Sequence, residues 1–300
     1  MQFKYFLELL LLSAIWGLSF LFMRTTTGEF GPVMLVTVRT GIAALALLPF
    51  FLYKRLHLQF KSQWRAIFFV GLTNTAIPFC LFSYSTYHLG AGYASILNAT
   101  APMFGALVGF FWLKDNLAKI AIFGLVLGFC GVLLLSLSKT SEQVGNVFFP
   151  TLAALGATFF YGLAACYSKR YLRGVSSLTI AAGSQYCALL VLFPISLFYL
   201  PAVNPSTESW LQVLALGLFC TALAYIMYFR LIANVGAERA ITVAYLVPVF
   251  GVIWGVVFLN ETVTLSMSVG TSLVLFGVAL TTGVLRFTKR NTHKTGSSQT

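Results

Sequence analysis

Ten predominantly apolar runs fill this chain almost end to end, at approximately 5–24, 32–53, 64–87, 92–112, 118–137, 148–168, 176–199, 209–230, 238–258 and 265–285. Each is about as long as the roughly 20 residues a helix needs to cross a bilayer. In hydrocarbon every backbone N–H and C=O must be satisfied within the protein, and a run of this length does so as a helix. Only 9% of the residues are charged and 59% are apolar, whereas a soluble domain carries roughly a quarter charged residues. The chain therefore reads as an all-α integral membrane protein with ten transmembrane helices, and little of it is left over for a soluble domain.

The first run follows Lys4 like the core of a secretory leader. It is too long for one, and "WGLSFLFMRTTTGEF" offers no small-residue cleavage pattern, so it reads as the first span. In a soluble protein the formal net charge of +12 would point to nucleic acid. Here the loops explain it. With the N-terminus in the cytoplasm and the loops alternating, sixteen of the nineteen Lys and Arg residues fall on the cytoplasmic side. They are Lys4; Lys54, Arg55, Lys61 and Arg65; Lys114 and Lys119; Lys169, Arg170 and Arg173; Arg230 and Arg239; and Arg286, Lys289, Arg290 and Lys294. Arg24 and Lys139 fall outside, and Arg39 lies within a span. This is the positive-inside bias, which puts both termini in the cytoplasm and removes the case for a nucleic-acid partner.

Two stretches far apart share one punctuation. "LNATAPMFGALVGFFWLKD" at 97–115 and "VAYLVPVFGVIWGVVFLNE" at 243–261 align at a separation of 146 residues. Pro102 falls on Pro248, Phe104 on Phe250, Gly105 on Gly251, Gly109 on Gly255 and Asp115 on Glu261. The same separation matches Gly90 with Gly236, Gly124 with Gly270 and Gly131 with Gly277, while Trp16-Gly17 answers Tyr161-Gly162 one residue closer. The chain thus divides into a first five-helix repeat at 1–137, a linker at 138–147, a second repeat at 148–285 and a cytoplasmic tail at 286–300, expected to be disordered. An odd number of spans sends the second copy through the membrane the other way, and the loops agree. The loop after the second run carries Lys54, Arg55, Lys61 and Arg65, whereas its counterpart "LPAVNPSTES" has no basic residue. Two inverted-topology repeats are a signature of secondary transporters, because the halves can exchange inward-open and outward-open shapes about a central site.

The ten spans, the opening "SAIWGLSFLFMR", the "GPVMLVTVRTGIAAL" of the second span and the two P-x-F-G-x-x-x-G-x-x-x-L-x-[DE] stretches resemble the EamA family of the drug/metabolite transporter superfamily. The resemblance covers nearly the whole chain. It implies a carrier of the cell inner membrane that moves a small molecule, with amino acids or related metabolites and export as the leading expectation. Drug or nucleobase-like substrates on the same fold are the alternative.

The substrate-cavity candidates are Trp16, Asn74, Tyr84, Asn98, Tyr161, Tyr225 and Tyr245. Trp16 and Tyr161 occupy matching positions deep in the first helix of each repeat, Asn74 sits in a polar patch before Pro78, and Asn98 lies one turn before Pro102. An amide has no reason to face hydrocarbon. Tyr87 and Tyr228, nearer to span ends, read as interfacial anchors. Pro102 and Pro248 kink their helices by removing a backbone hydrogen bond, as a packing feature or as part of a gate. Arg39 is the basic residue well inside a span, and Gln185 is its counterpart at the repeat separation. An intramembrane arginine is costly unless it meets water or a partner. It can hold an anionic group such as a carboxylate or tie helix-end carbonyls, and the structural tie is the favoured reading of this polar pair.

The remaining chemistry is sparse. Asp115 and Glu261 read as N-terminal partners of the helices that follow them, and Glu8 as an ion pair with Lys4. No acid sits mid-membrane, which points to facilitated or exchange transport rather than obligatory proton symport. The five cysteines lie within spans as small apolar residues, with no C-x-x-C spacing, so no metal and no cofactor is expected. An integral-membrane enzyme would need clustered acids, histidines or an activated nucleophile. None is present, and the expectation is a non-enzyme whose partners are a small-molecule substrate and the lipid bilayer.

Overall fold

Glycines such as Gly31 and Gly90, and Arg55, Lys114 and Asn260 in the left-handed region, divide the apolar runs into helices. The computed structural model describes residues 2–142, 147–240 and 242–284. Its long or apolar helices are α1 (Phe3–Phe30), α2 (Pro32–Tyr53), α3 (Leu56–Leu89), α4 (Ala91–Leu113), α5 (Lys119–Glu142), α6 (Phe148–Tyr171), α7 (Ser177–Ser196), α8 (Thr207–Val235), α9 (Val243–Leu259) and α10 (Leu265–Thr281). A short turn of helix, Ala237–Ala240, precedes α9. By length and composition α1 to α8 can each cross a membrane, while α9 and α10 are apolar but have 17 residues each. No strand occurs among the described residues. The expected tail at 286–300, with Arg286, Lys289, Arg290 and Lys294, and residues 143–146 of the expected linker lie outside the described residues.

Helix ends follow from local chemistry. Gly31 (φ 70°) breaks α1 from α2, where Pro32 takes a first-turn position that needs no N–H, and Gly90 (φ 99°) breaks α3 from α4. Side chains of Ser176, Ser206 and Thr264 accept from the N–H groups of Thr179, Ser209 and Met267, capping α7, α8 and α10.

The packing pairs every helix of one half with the other. α2 lies against α7, α5 against α10, and the first turns of α4 against α9. α1 packs on α9 and α6 packs on the later turns of α4. These last two contacts are built alike. A Cβ on Gly17 would come within 2.7 Å of Phe250 Cβ and 2.9 Å of Gly251 N, and one on Gly162 within 2.7 Å of Phe104 C and 2.6 Å of Gly105 N. Only glycine allows these backbones to approach so closely. In the sequence Gly17 and Gly162 stand 145 residues apart, and the Phe-Gly pairs they meet 146 apart.

Three helices carry a π-helical stretch, at Leu72–Ala76 in α3, Gly109–Leu113 in α4 and Leu218–Leu223 in α8. The first and third begin at equivalent repeat positions. Such bulges insert an extra residue and free backbone groups, often at functional sites. The outer surface is apolar, with Leu45 and Leu190 each 70% exposed among many aliphatic and aromatic neighbours, as in a multi-pass protein that faces lipid. Cys166, Cys187 and Cys220 are buried and Cys80 is partly so, but Cys130 is exposed on this surface rather than packed inside.

Candidate functional site

A cavity of about 550 Å³ lies at the centre of the bundle, within the size range of small-molecule sites. Helices α1 to α4 and α6 to α9 all contribute to its wall. Of the expected residues, the wall contains Trp16, Asn74, Asn98, Tyr161 and Tyr225, together with Arg39 and Pro102. Tyr84, Tyr245, Gln185 and Pro248 are not part of it. Tyr84 packs its ring against His88 at 4.6 Å, and the Tyr245 hydroxyl pairs with Thr282 Oγ1 at 2.5 Å. Pro248 is buried, and its carbonyl accepts from Ser95 Oγ at 3.5 Å.

The structure adds residues that composition hides. Trp16, Ser19, Phe20 and Met23 form one face of α1 at helical spacing and all line the cavity. Tyr228, expected as an interfacial anchor, also lines it, with its ring 5.2 Å from that of Trp16. The reason is that α8 runs on to Val235 and places Tyr228 two turns inside the helix end. Phe79, Phe82 and Phe229 extend the aromatic wall. In a chain with 29 phenylalanines, no sequence signal separates these from rings that face lipid.

Two buried polar contacts between helices occur at positions 146 residues apart in the sequence. Arg39 Nε on α2 donates to Thr221 Oγ1 in the π-helical stretch of α8 at 2.9 Å. Gln185 Nε2 on α7 donates to Thr75 Oγ1 in the matching stretch of α3 at 3.4 Å. The Thr221 hydroxyl in turn donates to Leu216 O, five residues back, at 2.9 Å, a carbonyl that the bulge leaves available. Arg39 Nη1 reaches only Met23 Sδ, at 3.6 Å, and the guanidinium lies 3.9 Å from the centre of the Phe79 ring. Among the described residues, no backbone carbonyl is one of its hydrogen-bond partners.

The two ends of the cavity differ. One end reaches Ser168, Ser177 and Phe229, beside Lys169, Arg170, Arg173 and Arg230, and is the basic end. At the other end α4 and α9 close together. Glu261, just past α9, accepts from Ala91 N at 2.7 Å and Gly92 N at 2.9 Å, the free N–H groups of the first turn of α4. Arg24 on α1 donates to the Tyr87 carbonyl on α3 at this end, and nearer the middle of α1 the Trp254 indole N–H of α9 donates to Ala14 O at 3.0 Å. Glu261 therefore caps a distant helix of the opposite half, not the helix that follows it, which Thr264 caps. Asp115, its repeat equivalent, bonds Lys169 Nζ at 2.7 Å. Glu8 lies 3.5 Å from Arg230 Nε instead of pairing with Lys4, whose ammonium sits over the Tyr5 ring.

Known proteins resemble this architecture. The profile of the EamA-like transporter family matches residues 4–137 and, separately, residues 149–283. The chain is 24% identical over 277 residues to the uncharacterized transporter YvbV of Bacillus subtilis (strain 168), covering 91% of this chain and 90% of that protein. It is 26% identical over 286 residues to an uncharacterized transporter of Archaeoglobus fulgidus, covering 94% and 98%. A crystal structure superposes with a TM-score of 0.67 at 18% identity, over 96% of this chain and 100% of the other, a likeness of fold.

Proposed function

The chain belongs to the EamA-like transporter family, and from that membership we propose that it is a secondary carrier working by alternating access between two inverted five-helix repeats. The repeats are 1–137 and 148–285, joined by the linker 138–147. Ten spans, with both termini cytoplasmic in a cell inner membrane, complete the reading. The observation that carries it is the central cavity, whose lining reaches Ser168, Ser177 and Phe229 at the basic end, while at the other end Glu261 ties the end of α9 to the first turn of α4. In this reading the positive-inside rule assigns the basic end to the cytoplasm and the conformation is an inward-facing one. The duplicated contacts Gly17 on Phe250-Gly251 and Gly162 on Phe104-Gly105 support the repeat, as does the double match of the family profile.

The cargo in this proposal is a small metabolite, an amino acid or a related compound, and the direction is export. The cavity volume and its wall of aromatic rings with Asn74 and Asn98 support a molecule of that size. Counterflow tests this. Proteoliposomes preloaded with each compound of an amino-acid and metabolite panel are expected to take up the labelled compound for at least one class, saturably and above protein-free vesicles. Uptake confined to nucleobase-like or drug-like compounds would replace the amino-acid reading, and no flux for any compound would remove the carrier reading.

A further inference from the structure

The two repeats build the same membrane-interior contact from different residues. In each, a residue of the second helix of one half bonds a threonine in the π-helical stretch of the third helix of the other half. Gln185 makes that bond to Thr75 without a charge, is fully buried and stays behind the cavity wall. The interhelical tie therefore needs no cation. Arg39 makes the same bond to Thr221 with Nε alone, is 4% exposed, and lines the cavity. Among the described residues its Nη2 donates no hydrogen bond and Nη1 has only a sulfur acceptor.

A cation in that setting is expensive unless an anion or water meets it. Among the described residues, no carboxylate lines the cavity wall. Glu8, Asp115 and Glu261 lie near the helix ends and are engaged with Arg230, Lys169 and the first turn of α4. Phe79 under the guanidinium holds its plane in place, and a planar fork with unspent N–H groups matches a carboxylate.

We propose that Arg39 is the anion subsite of the cavity and that the substrate is an organic carboxylate with a flat or apolar body. The carboxylate takes the Nη groups of Arg39, and the body lies among Trp16, Phe79, Tyr161, Tyr225 and Tyr228. With no acid among the described residues of the wall, a ligand that carries only an ammonium group finds no counter-charge there and is disfavoured. The inference rests on the carrier reading for the identity of the site, but binding alone tests it.

The full chain in lipid nanodiscs is titrated calorimetrically with four probes of one size: 3-phenylpropionate, phenylalanine, 3-phenylpropanamide and phenethylamine. Wild type is expected to bind the two carboxylates at least about tenfold tighter than the amide and the amine. Arg39→Gln, which reproduces the neutral tie of the other repeat, is expected to melt at the wild-type temperature and to lose that preference. Thr221→Val, which removes the tie but keeps the cation, is expected to retain it. Equal binding of amide and carboxylate overturns the proposal, and so does binding of none of the carboxylates, a preference that survives Arg39→Gln, or its loss in Thr221→Val. Carboxylate binding that depends on Arg39, with no flux of any compound in counterflow, would keep the subsite and remove the carrier reading.

Discussion

At the scale of single residues, the molecule is organised by where backbones touch. Gly17 and Gly162 were legible as matching positions in the sequence, but the surfaces they meet were not, because periodicity does not say which helices cross. A side chain at either would have to displace backbone atoms of the opposite half. Gly162→Val and Gly17→Val are each expected to destabilise the fold by about 1–3 kcal/mol, the usual cost of overpacking, seen as a lower melting temperature in detergent. A control at Gly41, whose added Cβ would meet only Leu189 side-chain carbons at 3.5 Å or beyond, is expected to melt close to wild type when changed to Ala. Arg39 and Gln185 were also visible as an equivalent polar pair. What the sequence concealed was their threonine partners, since Thr75 and Thr221 sit in π-helical stretches that no residue pattern announces.

At the scale of helices, the proposed seal rests on α4 and α9. Their proline and glycine pattern was readable, and their boundaries fell within a few residues of the apolar runs. The role of the acids that end them was not, because Glu261 reaches α4 across the molecule and no local pattern encodes that approach. Two charge-assisted bonds to backbone N–H groups hold the end of α9 on the first turn of α4. Ser95, fully buried under Gly251, reports on this seal. In a cysteine-free background, Ser95→Cys is expected to resist a membrane-impermeant maleimide, and adding Glu261→Ala is expected to raise the labelling rate about tenfold or more. Glu261→Gln, which can still accept one bond, is expected to fall between them. Asp115→Asn, at the basic end, removes an exposed pair with Lys169 and is expected to leave the same labelling rate unchanged.

At the scale of the whole molecule, composition and loop charge already pointed to a multi-pass helical bundle, and the family match bears out the resemblance read from the P-x-F-G stretches. The cavity itself was half legible. Polar or amphipathic residues such as Asn74, Asn98, Trp16, Tyr161 and Tyr225 stood out against an apolar background, whereas Phe20, Phe82 and Met23 did not, because in a membrane protein an apolar residue fits the interior and the lipid face equally well. The central claim is that this cavity is the path of the transported molecule. Its most direct test is the counterflow rate of wild type, Trp16→Ala and Asn98→Ala at equal reconstituted amounts, with the panel compound that wild type carries best. The account predicts that both variants lose about tenfold or more in rate at subsaturating substrate while melting within a few degrees of wild type. Wild-type rates in both variants would contradict it.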